Sequence, residues 1–262
     1  MLRVIFFMLS RFNYVDSIIR RMVDEANLPS IVSLLRYVPL FASLTPEELR
    51  VVAGLAEERV IKAKALLIRQ GSAATTLYVV ISGQIRVSEI TADGHEILHR
   101  FIRPGQMIGG MAAVGGLTYP ITAHVLRDSR LLAWDTATMQ QMMRRYLPIA
   151  FNAMRLMVAR IEEIQECYVA LATQQVRQRI ANTLLRLTEQ CGSRTVEGIL
   201  LDIRLSRQDL AEMTGTTLYT VSRLLNQWQR EKIITLKHRK ILIRKPHDLV
   251  CIAEAEGRDE EQ

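Results

Sequence analysis

The chain has 262 residues, of which 49% are apolar and 23% charged, a composition that builds a buried core and excludes disordered and fibrous classes. Its three cysteines, Cys167, Cys191 and Cys251, lie far apart with no CxxC pair. That excludes a disulfide scaffold and any cysteine-only zinc or iron–sulfur site, and it suits a reducing, cytoplasmic compartment. Lys and Arg number 34 against 27 Asp and Glu, for a net charge of +7, an excess that permits a polyanionic partner without demanding one.

The N-terminal stretch MLRVIFFML is apolar, but the run stops at Ser10-Arg11. A spanning helix needs about 20 apolar residues, and a secretory signal needs a small-residue cleavage site. Neither pattern is present, so no membrane partner is expected. Residues 1–30 read as a dispensable extension, either an amphipathic lead-in or residues upstream of a start at Met8 or Met22.

From 31 to 56 apolar residues recur at helical spacing, and Thr45-Pro46-Glu47-Glu48 marks a helix start with Thr as the cap and Pro at the first position. From 58 to 135 the texture turns to short β-rich runs, Leu66–Ile68, Leu77–Ile81, Ile85–Val87, Ile97–Ile102 and Leu131–Trp134, with turn glycines at Gly71, Gly83, Gly94 and Gly105. Asp93-Gly94 signals a tight hairpin. Short strands punctuated this way predict a small all-β sandwich or barrel.

After Pro148 the pattern is helical for a long stretch. Met154, Met157, Ile161, Ile164, Tyr168 and Leu171 alternate spacings of three and four, with Leu147 and Ala150 continuing the row backwards. Such a heptad seam suits a parallel pairing of two copies of this helix; the alternative is packing against the chain's own β-block. The methionines read as seam filler. Cys167, beside Tyr168, is expected to be a buried, inert thiol, and a redox switch only if exposed and acidic.

Residues 173–250 carry 14 Lys and Arg against 7 Asp and Glu, while 251–262 carry five acids and one Arg. The basic excess therefore belongs to the C-terminal domain, and the acidic tail is expected to fray. Within it, LSRQDLAEMTGTTLYTVSRLLNQWQREK carries the function. Ser206 with Asp209 resembles a capping box, Gly215 stands where a sharp turn wants positive φ, and a second helix starts near Thr217. On that helix Val221, Leu224, Leu225 and Trp228 share one face, and Leu218, Tyr219, Ser222, Arg223 and Asn226 the other. Helix, glycine turn and amphipathic helix make a helix-turn-helix. Ile233–Ile234 and Ile241–Ile243, with Lys237, His238, Arg239 and Lys240 between them, read as a basic wing, followed by Arg244-Lys245.

The β-block, long helix and winged helix-turn-helix, in that order, resemble the cAMP receptor protein/FNR (Crp/Fnr) family of bacterial transcription regulators over roughly residues 34–248. The matching pieces are PLFASLTPEEL, LLIRQGSAATTLYVVISGQIRV, DGHEILHRFIRPGQMIGG and LSRQDLAEMTGTTLYTVSRLLNQWQREKII. The resemblance implies an α+β chain with a cyclic-nucleotide-binding-like β-roll of jelly-roll type, a dimerisation helix and a winged helix-turn-helix. The expected limits are an N-terminal extension 1–30, a sensor 31–146, a dimerisation helix 147–172, a DNA-binding domain 173–250 and a tail 251–262. It implies a cytoplasmic homodimer on inverted-repeat double-stranded DNA, with RNA polymerase as a further partner and no enzymatic activity. Arg207 falls where the family clamps phosphate, and Leu218, Tyr219, Ser222 and Arg223 fall at its specificity positions. Thr217 and the wing residues Lys237, Arg239 and Lys240 complete the DNA-facing set. Arg223 suits a bidentate contact to guanine, whereas Leu218 and Tyr219 depart from the family's charged pairs and suit a thymine methyl.

The same resemblance bears on the effector. Members that bind cAMP hold its ribose with a glutamate where this chain has Gly110. They pair its phosphate with an arginine, and Tyr119, Pro120, Ile121 and Thr122 offer none. Cyclic AMP is therefore not expected, since the enclosed phosphate would lose its charge-assisted partner. Residues 1–60 contain no cysteine, which excludes the family's N-terminal iron–sulfur mechanism. A haem or gas signal stays open through His95, His99 and His124, the plainer reading being barrel or surface histidines, and a redox signal only through Cys167. A cupin-type metal enzyme would need converging histidines and a carboxylate, shows no HxH motif, and leaves the helix-turn-helix unexplained. The effector stays unidentified.

Overall fold

The computed structural model describes residues 28–94, 96–201, 203, 205–237 and 240–255. The expectations for the N-terminal extension up to residue 27 and for the tail from 256 onward lie outside the described residues. The chain divides into two units, and the division falls between Ile161 and Glu162 in the long helix.

The first unit begins with helices α1 (Leu28–Leu35) and α2 (Pro46–Gly54), joined through a 3-10 turn at Pro39–Phe41. The start of α2 is the one read from the sequence. The Thr45 hydroxyl accepts from the Glu48 N–H (3.3 Å), and the Glu48 carboxylate accepts from the Thr45 N–H (2.8 Å). This reciprocal box satisfies two donors that a helix start otherwise leaves to water.

Strands β1 (Glu57–Ile61), β2 (Leu66–Ile68), β3 (Thr76–Ile90), β4 (Glu96–Ile102), β5 (Met107–Ile108) and β6 (Thr122–Asp135) form one rolled sheet in the order β1-β6-β3-β4, with β2 on β6 and β5 on β3. Gly83 proves not to be a turn. It lies inside the 15-residue β3, at φ +103°, where a Cβ would overlap Ser129 of β6. The register against β6 slips around Ser82–Gln84, so the strand bulges there. The bulge changes the alternation. Leu77, Val79 and Ile81 face the helices, Tyr78 and Val80 face the roll interior, and beyond it Ile85 and Val87 join that interior. Without the extra residue a strict period of two would send Ile85 and Val87 outward.

Helix α3 (Thr136–Arg145), capped by Asp135 accepting from Thr138 N–H (2.7 Å), leads into α4 (Leu147–Thr173). Pro148 sits in the first turn of α4, where a missing N–H costs nothing. The helical core gathers Leu35, Phe41, Val52, Trp134, Met139 and Ile149. The Trp134 indole donates to Val52 O (3.0 Å), and the buried Asn152 amide donates to Leu40 O (3.2 Å) and Ala42 O (2.7 Å). Ala153 and Leu156 are partly buried against the same cluster. The first turns of α4 therefore do pack on the chain's own β-unit, as the alternative reading held for the whole helix.

The second unit contains α5 (Val176–Cys191), β7 (Gly192–Thr195), β8 (Gly198–Leu201), α6 (Arg207–Thr214), α7 (Leu218–Arg230), β9 (Ile234–Lys237), β10 (Lys240–Ile243) and α8 (Pro246–Glu254). Its sheet runs β7-β8-β10-β9, all antiparallel. Ile180, Leu184, Leu210, Leu225, Trp228 and Ile243 are among its buried side chains.

Candidate nucleic-acid interface

The interface is built on α6 and α7. Ser206 caps α6: its hydroxyl accepts from the Asp209 N–H (3.0 Å), and the Asp209 carboxylate accepts from the Ser206 N–H (2.8 Å) and hydroxyl (2.7 Å). Gly215 ends the helix at φ +58°, ψ +48°, a left-handed cap that any side chain would strain. Thr217 caps α7, its hydroxyl accepting from the Thr220 N–H (3.2 Å) and pairing with the Thr220 hydroxyl (3.0 Å). Val221, Leu224, Leu225 and Trp228 are all buried. Burying that stripe fixes which way α7 faces.

On the opposite face Leu218 is 50% and Tyr219 76% exposed. Arg223, Asn226, Thr217 and Arg207 are exposed, and Ser222 is half-buried. Arg223 has no partner among the described residues. Arg207, in the first turn of α6, donates from Nη2 to Asn226 Oδ1 of α7 (3.0 Å). The sequence placed Asn226 on the outer face without this pairing. Lys237 and Lys240 pair across the β9–β10 hairpin, and Lys240 is half-buried. The wing tip, His238 and Arg239, and the Lys237 side chain lie outside the described residues. Arg244 is committed elsewhere, donating to Thr235 Oγ1 (2.8 Å) and pairing with Glu197 (3.2 Å).

A contact absent from the sequence reading ties the turn to the short link, Gln174–Gln175, between α4 and α5. Arg179 on α5 donates from Nη1 to Gln174 O (2.7 Å), from Nε to Thr214 O (2.9 Å) and from Nη2 to Gly215 O (3.4 Å). One guanidinium thus spans that link and the helix-turn-helix corner, an arrangement that suits its planar fork of donors.

The seam residues Met154, Met157, Ile161, Ile164, Tyr168 and Leu171 are each more than half exposed, and Leu147, Phe151 and Val158 lie exposed beside them. Phe151 and Val158 widen the row beyond what the seam pattern picked out. Cys167 is exposed, which corrects the expectation of a buried thiol: this part of α4 carries no packing over it, and Arg186 Nη1 donates to its Sγ (3.2 Å). Cys191 is buried and Cys251 exposed.

At the positions where the resemblance places the contacts to cyclic AMP, the roll carries other side chains. Gly110 opens a 3-10 turn, Gly110–Ala113, with no side chain to hold a ribose. Ile121 is half-buried against the apolar interior. The Tyr119 hydroxyl donates to Thr76 O (2.6 Å) and accepts from Thr76 N–H (2.9 Å). Burial pushes the Tyr119 phenol above its ordinary value, keeping it a donor. Thr122 is buried, accepting from the Gln70 N–H (3.2 Å). No cation stands at 119–122 to meet a cyclic phosphate. His99 and His124 are half-buried on separate strands, β4 and β6, and His95 lies outside the described residues. No group of three or more His, Cys, Asp and Glu suited to a metal ion occurs among the described residues. Likewise no described helix is long and apolar enough to cross a membrane.

Comparison with known proteins decides the family. The cyclic nucleotide-binding domain matches residues 58–146, and the Crp-like helix-turn-helix domain matches 178–252. The chain belongs to the Crp/Fnr family of transcription regulators. It is 25% identical over 205 residues to the anaerobic regulatory protein of Bacillus subtilis (strain 168), spanning 78% of this chain and 86% of the relative. It is 29% identical over 198 residues to the cyclic AMP receptor protein of Thermus thermophilus, spanning 76% and 88%. Among solved structures, a CRP-family transcriptional regulator from Thermus thermophilus superposes with a TM-score of 0.62 at 25% identity, covering 75% of this chain and 97% of the other. FixK2 from Bradyrhizobium japonicum does so with a TM-score of 0.65 at 19% identity, over 77% and 99%, a likeness of fold. The Crp/Fnr regulator is therefore a DNA-binding protein whose β-roll and reading head occupy the order the sequence predicts.

Proposed function

We propose that this Crp/Fnr regulator works as a homodimer on inverted-repeat DNA. The observation that carries the reading is the apolar row from Met154 to Leu171, left in water on a helix whose first turns are locked into the core through Ile149 and Asn152. A row of this kind on an ordered helix calls for a partner surface, and the heptad spacing supplies one in a second copy. The dimerisation helix is assigned to 147–172, the sensor to 31–146 and the DNA-binding domain to 173–250.

In this reading each α7 enters the major groove, about one helical turn from its twin. Arg223, unpaired among the described residues, takes a guanine, with Thr217, Leu218, Tyr219 and Ser222 beside it. Arg207 and the wing residues Lys237, Arg239 and Lys240 take phosphates. RNA polymerase is the further partner that the family implies. A hinge near Ala172–Thr173 would turn the reading head, and the Arg179 bridge supports the route: a shift in α4 moves Gln174, and with it the carbonyls of Thr214 and Gly215. The cyclic AMP that the Thermus relative's name implies for that protein is not carried over, because Gly110, Tyr119 and Ile121 do not fit it.

Sedimentation equilibrium tests the dimer. Ile161→Glu sets two carboxylates against each other in the seam and is expected to give monomers at concentrations where the parent chain is dimeric. A mutant dimer as tight as the parent would show that the interface lies elsewhere.

A further inference from the structure

We infer that the first turn of α7 reads the 5-methyl groups of pyrimidines, so that the operator half-site carries a methyl-bearing base, ordinarily thymine, beside the guanine taken by Arg223. The inference rests on the reading of α7 as the recognition helix and adds the chemistry of what that helix selects.

Most donors and acceptors at the helix start are already engaged. The two threonine hydroxyls there, those of Thr217 and Thr220, are held by each other at 3.0 Å, and Thr217 also accepts from the Thr220 backbone. Withdrawing the Thr217 hydroxyl to meet a base would uncap the helix, and withdrawing that of Thr220 would break its pairing with the cap. Asn226, two turns further on, gives its carbonyl oxygen to Arg207. An amide reading adenine needs that oxygen for the adenine amino group. Ser222 is half-buried. What the first turn does present is the Leu218 side chain and the Tyr219 ring, the latter three-quarters exposed.

In the major groove the edge group that rewards an apolar side chain is the C5 methyl of thymine, and 5-methylcytosine carries the same group at the same place. Leu218 and Tyr219 adjoin in sequence and point into water on the side away from the buried Trp228 stripe. A methyl against either one removes apolar surface from water on both partners. The selection is therefore for the methyl and not for the hydrogen-bonding edge of the base. A cytosine methylated at C5 should be tolerated where unmethylated cytosine is not.

The experiment uses the full chain and its own selected site. Once a specific duplex is in hand, each thymine is replaced singly by deoxyuridine, which deletes only the methyl, and binding is measured at fixed salt. The expected result is a loss of roughly three- to tenfold at one or two thymines per half-site and none elsewhere. At those positions 5-methylcytosine should bind better than cytosine. Leu218→Ala and Tyr219→Ser should each erase the uridine penalty at a position, while Tyr219→Phe keeps it, since the ring and not the hydroxyl makes the contact. Both side chains are exposed, so folding is not at stake, and an unchanged melting temperature verifies it. If every uridine duplex binds as well as its parent while Arg223→Ala still loses its guanine, the methyl inference falls and the DNA-reading assignment stands. If no specific duplex can be selected at all, both fall together.

Discussion

Arg223 and Trp228 lie on one helix and face opposite ways, and each makes a separate claim testable by a single substitution. Arg223→Ala should cost about 1–3 kcal/mol at one guanine and flatten preference there. A binding-site profile unchanged by the substitution would reject the base contact. Trp228 is fully buried, and its indole N–H finds no partner among the described residues. An unmet buried donor costs about 1–3 kcal/mol, so Trp228→Phe, which removes the donor at the cost of some ring volume, should melt within a few degrees of the parent. A fall of ten degrees or more would show that the indole holds a partner. The single residues legible in the sequence were those whose roles are local. Ser206, Asp209 and Gly215 act within four or five positions of chain, and their types dictate the geometry. Arg179 and Asn226 were not legible in this way, because their partners are set by how helices distant in sequence come to lie together.

At the scale of elements the same division holds. The helix-turn-helix was readable because burial on one face of α7 leaves a period of 3.6 in the residue types. The long helix was readable for the same reason, although its exposed apolar row is wider, through Phe151 and Val158. Strand β1 and the stretch Arg127–Arg130 within β6 left no such trace. Their outward positions carry Glu58 and Arg130, paired at 2.6 Å, and Lys62 beside β1 pairs with Asp128 at 2.8 Å, so charge breaks up the β-rich texture. Exposed pairs of this kind contribute little to stability, and they hide a strand without holding it. Gly83 misled because a glycine in a β-run signals either a turn or a bulge, and only the partner strand, with Ser129 against it, decides which. The element through which the proposed control would run is the hinge at the end of α4, and Arg179 ties the residue after it, Gln174, to the turn. Arg179→Ala should weaken binding to all sequences alike, severalfold, and leave the order of preferred sites unchanged. An affinity equal to the parent's would separate hinge from head.

Taken whole, the molecule presents two surfaces that its own fold leaves uncovered, an apolar row along α4 and a mixed apolar and cationic face on α7. The first calls for a second copy and the second for DNA, and symmetry joins the two demands, since a two-fold pairing of helices brings two reading heads to one duplex. The β-roll answers a different question. It keeps the family's sheet and turns, while the positions that the resemblance gives to cyclic AMP carry Gly110 with no side chain, the aliphatic Ile121, and Tyr119 tied to Thr76. The family frame was legible from turn glycines and helix starts, which serve the backbone. The effector was not, because ligand choice rests on a few side chains free to change without disturbing that frame. The measurement that bears most directly on a dimeric, DNA-reading molecule is a selection of genomic fragments by the purified chain, without added ligand and at a fixed physiological salt concentration. The predicted result is enrichment of a short inverted repeat whose half-sites are centred about one helical turn apart, each with a guanine beside a thymine. Enrichment of unpaired half-sites, or of no sequence at all by a folded protein, would contradict it.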